Sequence, residues 1–122
     1  MSNTLPELWK REIINIKKEV DWVDETAHQL IKDFTMLDIP LSFQPSAQNQ
    51  YQDLFNQAKS TIKELFETNY HVFLNLLYRI DLPQSELNVL INNTSGTDLF
   101  DQITELVLRR EFMKVVTRHL YS

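Results

Sequence analysis

Residues 4–40 read TLPELWKREIINIKKEVDWVDETAHQLIKDFTMLDIP, and the spacing of their apolar positions decides the class of fold. Trp9, Ile13, Ile16, Val20, Val23, Ala27, Leu30, Phe34 and Leu37 follow one another in alternating steps of four and three. That spacing keeps all nine on one face of an α-helix, whereas a strand would scatter them over both faces. Thr4 with Glu7 forms a capping box, and Pro6 suits the first turn, where its missing N–H costs nothing. At the other end Pro40 pushes Ile39 out of the α region. The expectation is one helix over about 5–37, with an apolar seam about 42 Å long at 1.5 Å per residue.

Working outward, residues 39–45 carry two prolines and read as a loop, after which Ser46 is a suitable N-cap for a second long helix over about 46–80. Leu54, Phe55, Ala58, Ile62, Leu65, Phe66, Phe73, Leu76, Leu77 and Ile80 keep one face of it, interrupted only by Asn69. From residue 70 onward Leu74 and Tyr78 add apolar surface on the opposite side. The second half of this helix is therefore expected to be covered on two sides and to run through the centre of the fold. Pro83 opens a short helix over about 83–92, and Thr97 or Asp98 caps a last helix over about 98–120. No segment alternates strictly in the way a half-buried strand requires. The expected architecture is all-α: one domain over 1–122, an elongated up-down helical bundle with two long helices, a short one and a C-terminal one.

Composition agrees with this and removes several classes of function. With one glycine and no cysteine in 122 residues, phosphate-cradling loops, disulfides, thiolate metal sites and thiol catalysis are all lacking. A net charge of −5 argues against general binding to nucleic acid, which is not expected as a partner. No stretch is apolar for long enough to be a membrane span, and the first ten residues show no signal-peptide core. A cytoplasmic location is expected, with no cofactor and no membrane contact.

The chain has three histidines, and none is placed to act as a metal ligand. Glu25 and His28 form a Glu-x-x-His pair, but the heptad puts Glu25 on the solvent side, and no second such pair exists. Asp24 with His28 and Glu67 with His71 sit at different heights if the two long helices run antiparallel, too far apart to share an ion. His119 near the end of the last helix suits the negative end of the helix dipole. Asp24, His28, Asp38 and Pro40 recur 43 positions later as Glu67, His71, Asp81 and Pro83, an echo that ordinary helix-exit chemistry produces without duplication.

The last helix carries the functional expectation. Leu99, Phe100, Ile103, Leu106 and Val107 define one apolar face, while Leu108, Phe112, Val115 and Val116 lie roughly opposite it. Such a helix either bends near residues 108–111 or is sandwiched between two surfaces, and the second surface is a candidate interface for self-association or a protein partner. The basic stripe Arg109, Arg110, Lys114 and Arg118 is a weak candidate for phosphate contact. Trp22, just off the seam, is a further candidate contact. The reading favoured by sequence is a non-enzymatic helical interaction or oligomerisation domain. Its alternative is a bundle with an internal pocket for a small ligand or for catalysis, lined by Phe73, Leu77 and Tyr78.

Overall fold

The computed structural model describes residues 21–41 and 50–121. They form five α-helices and, among the described residues, no strand: α1 (Trp22–Met36), α2 (Gln50–Thr68), α3 (Tyr70–Arg79), α4 (Gln84–Asn93) and α5 (Thr97–Leu120). The expected all-α bundle is therefore the fold observed.

Two of the expected helices differ in extent, and in both places a polar side chain captures the backbone. Asp21 is non-helical, with ψ 91°, and its carboxylate accepts the Asp24 N–H at 3.0 Å, so α1 begins at Trp22 rather than continuing from the N-terminal segment. The seam residues Trp9, Ile13, Ile16 and Val20 lie outside the described residues. The second long helix is two helices. Asn69, with φ −150° and ψ 70°, accepts the Val72 N–H on its Oδ1 at 3.3 Å and starts α3, while Thr68 Oγ1 donates back to the Glu64 carbonyl at 2.7 Å.

The helix exits explain the Asp38 and Pro40, Asp81 and Pro83 half of the echo at 43 residues. After α1, the Ile39 N–H bonds to Phe34 O at 2.9 Å and the Asp38 N–H to Thr35 O at 3.0 Å; after α3, the Leu82 N–H bonds to Leu77 O at 2.9 Å and the Asp81 N–H to Tyr78 O at 3.1 Å. Both are Schellman ends, with Asp38 (φ +59°) and Asp81 (φ +67°) in the left-handed position that glycine usually fills. Ile39 and Leu82 then tuck into the core, and Pro40 and Pro83 prevent the helix from resuming.

The helix at the centre is α5, not the second helix of the sequence reading. It runs unbroken for 24 residues, about 36 Å at helical rise, and packs on α1, α2 and α4. Both of its apolar faces are buried: Ile103 and Val107 on one side, Leu108, Phe112, Val115 and Val116 on the other. Cross-helix pairs give the directions. Glu25 meets His119 and Asp33 meets Lys114, so α1 runs antiparallel to the second half of α5. Lys59 meets Asp101, and Phe66 packs edge-on against Phe100 with ring centres 5.2 Å apart, so α2 lies antiparallel along the first half. Phe66 also meets Tyr70 and Phe73 edge-on, closing α3 onto the same aromatic cluster.

Candidate functional site

The four residues expected to offer an interface on the last helix are core residues of the monomer. Leu108, Phe112, Val115 and Val116 are between 0% and 1% exposed. Phe112 holds Trp22 edge-on, with ring centres 6.1 Å apart, and Trp22 also meets the His119 ring at 5.0 Å. The second surface of the sandwich is α1, so the apolar face left over in the sequence is taken up within the fold. Trp22 is likewise no contact site, being buried in this seam.

The basic stripe has an equally internal use. Arg110 Nη2 lies 3.3 Å from Asp81, Lys114 Nζ lies 2.8 Å from Asp33, and Arg118 bonds Gln29 Oε1 at 2.9 Å and stands 3.7 Å from Glu25. Spaced four apart on α5, these cations face acids that α1 and the α3 exit present at matching heights. Arg109 lies off this row and is half-buried. The stripe joins helices and is not an open phosphate surface. His119 follows the same pattern, with its Nε2 2.9 Å from Glu25 Oε1, whereas His28 stays exposed beside Asp24 of its own helix at 3.3 Å. No group of three or more potential metal ligands occurs among the described residues.

At the middle of this ladder sits a constellation that sequence reasoning missed. Asp33 of α1 is buried, and its carboxylate accepts from Lys114 Nζ at 2.8 Å, from Arg79 Nε at 3.1 Å and from Gln29 Nε2 at 3.4 Å. Beside it Glu111 is 0% exposed. Lys114 Nζ approaches Glu111 Oε1 only to 3.5 Å, and no N–H or hydroxyl donor serves either Glu111 oxygen. An ionised Glu111 would be a buried charge without hydrogen bonds, which costs several kcal/mol on the order of the known penalties. The consistent state is a protonated Glu111 whose O–H donates to Asp33. Burial, followed by the Asp33 hydrogen bond and charge, pushes the Glu111 carboxyl from 4.5 up to about 9, against the pull of Lys114. Burial alone would raise Asp33 too, but the Glu111 and Lys114 hydrogen bonds, the Lys114 charge and the Gln29 bond hold it below its ordinary 3.8.

A signal for Glu111 was present in the sequence. Positions 108, 111, 112 and 115 share one helical stripe, so a glutamate stands among residues all of which are buried. Two carboxyl groups with separated affinities for a proton resemble acid–base machinery. Neither of the two grooves at α3–α4 and α2–α5 has Asp33 or Glu111 in its lining.

Two concave surfaces among the described residues lie elsewhere. One groove of about 330 Å³ is lined by Leu74, Leu77, Tyr78, Asp81, Leu82, Pro83 and Gln84, where α3 turns into α4. A second, of about 390 Å³, lies between α2 and the start of α5, lined by Lys63, Phe66, Glu67, Gly96, Leu99 and Phe100. The enclosed pocket that a ligand-binding bundle would need at Phe73, Leu77 and Tyr78 is not formed, because Phe73 is packed into the aromatic cluster while Tyr78 is 88% exposed. This also corrects the expectation that the second half of the second helix is covered on both sides. Tyr70, Leu74 and Tyr78, four apart, form an outward ridge on α3 with only Leu74 half-buried. No helix among the described residues is long and apolar enough to cross a membrane.

Comparisons with protein-family models, with curated proteins and with solved structures find no match.

Proposed function

We propose that this chain is a non-enzymatic helical interaction module whose partner surface is the apolar groove between α3 and α4. The observation that carries the reading is Tyr78: a large aromatic side chain, 88% exposed, stands over a groove floored by Leu74, Leu77, Leu82 and Pro83. An exposed aromatic beside an apolar concavity is the composition of a contact site, because it offers a large area at little cost in side-chain entropy.

The groove is also held in shape before anything binds. Its floor is the Schellman exit of α3, with the Leu82 N–H on Leu77 O, and Arg110 of α5 grips Asp81 at the rim. A preformed groove loses less freedom on binding than a flexible loop does. A volume of about 330 Å³ suits one or two apolar anchor side chains from an amphipathic segment of a partner. Unpaired acidic surface at Glu86 of α4 favours a basic residue beside the anchor.

The test is affinity capture from the cells that express the protein, comparing wild type with Tyr78→Asp and with Val89→Asp, an exposed position outside the groove lining. The reading expects a stoichiometric partner that Tyr78→Asp retains at least about tenfold less well, a loss of about 1.4 kcal/mol, while Val89→Asp retains it. Equal retention by all three proteins would remove the groove from the proposal.

A further inference from the structure

Asp33 and Glu111 form the point at which three helices are tied together. Asp33 comes from α1, Glu111 and Lys114 from α5, and Arg79 from the last turn of α3, with Lys114 Nζ also 3.5 Å from the Arg79 carbonyl oxygen. Both cations are directed at Asp33, and each keeps about a third of its side chain in contact with solvent. Glu111 occupies the dry side of the cluster, and only the proton it shares with Asp33 makes two neighbouring carboxyl groups compatible there.

We infer that this shared proton is a latch: while it is present the end of the bundle where α1, α3 and α5 meet stays closed, and its removal in alkaline solution releases α1 and α3 from α5. The inference stands apart from the partner groove and does not depend on it. Once ionised, Glu111 must either draw Lys114 away from Asp33 or admit water to the interface. The first choice removes the shortest bond tying α1 to α5; the second separates the apolar seam of Trp22 and Phe112 beside it.

The other charged groups around Glu111 do not supply an alternative partner. On its own helix Arg110 is engaged with Asp81 and Arg118 with Glu25, while the half-buried Arg109, two residues before Glu111, leaves the helix on a different face. From α2, the charged contacts with α5 fall earlier, at Lys59 with Asp101 and at Tyr51, whose phenol is pushed up by burial and by nearby Glu105. The only charged residue of α4, Glu86, is exposed. From α1, Glu25 bonds His119 two turns beyond Glu111, leaving Asp33 and Lys114 as the groups that decide its ionisation.

Two measurements test the latch on the intact chain. Carbon-detected NMR titration of the Glu111 carboxyl should give a midpoint near 9, which moves back toward the ordinary glutamate range in Asp33→Asn. Hydrogen exchange, corrected for its intrinsic pH dependence, should show opening of α1 and α3 rising by up to about tenfold per pH unit between neutrality and that midpoint, the slope that loss of one proton gives. Glu111→Gln, which keeps a donor toward Asp33 and cannot ionise, should abolish that slope, and α4 should lack it in both proteins. A Glu111 that titrates in the ordinary range overturns the latch, even if the Gln variant fails to fold. So does a slope that persists in Glu111→Gln, or one shared equally by α4.

Discussion

At the scale of single residues, the proton on Glu111 and the backbone of Asp38 make separate demands. Glu111 has its folded-state affinity raised, so the folded protein keeps a proton that the unfolded chain releases above the ordinary 4.5; its contribution to stability declines as pH rises from there toward about 9. Asp33 is held low, so its contribution is present above 3.8 and is lost as pH falls through its folded value. Glu111→Gln should therefore raise stability at pH 8 by about 2 kcal/mol and flatten the alkaline side of the profile, read from urea midpoints across pH. Asp33→Asn should cost about 3 kcal/mol at neutral pH, at the low end for a broken buried pair because Arg79 and Lys114 retain some water. Asp38 sits at φ +59° for the sake of the α1 exit. Asp38→Gly should gain up to about 1 kcal/mol by urea denaturation, and Asp81→Gly less, since it also gives up the contact with Arg110.

At the scale of elements, the break at Asn69 is a capping event, and substitutions there should show it. Asn69→Ala removes the acceptor for the Val72 N–H and should cost about 1 kcal/mol, whereas Asn69→Asp or Asn69→Ser should recover most of the loss. The sequence displayed this position as the one gap in an otherwise continuous apolar face, but periodicity cannot tell an interruption from a new beginning, since both helices keep the same face toward the core. Asp21 was hidden for the same reason: the seam passes it on schedule from Val20 to Val23 while its side chain starts a helix. The two Asp-aliphatic-Pro exits were legible as helix ends from their prolines, whereas the left-handed turn at Asp38 and Asp81 appears only with the backbone, because glycine is its usual occupant. Glu111 was the hardest to read. Its stripe position was visible, but that it is buried depends on α1 lying across the second face of α5, a contact between residues some 80 positions apart.

At the scale of the whole molecule, the central claim is that both faces of α5 belong to the core of one chain. The change of apolar face along the last helix was correctly seen in the sequence, and the sandwich was one of its two explanations; what the sequence lacked was the second slice, which is α1 folded back from the other end of the chain. With that face occupied, the partner surface we propose is the one on α3 and α4, where Tyr78 stands exposed. The most direct test is the stability and oligomeric state of Phe112→Ala, followed by urea denaturation and sedimentation at several concentrations. A core Phe112 predicts a loss of about 3–5 kcal/mol that is the same at every protein concentration. A variant that keeps its stability as a folded monomer, having lost only the ability to associate, would contradict it.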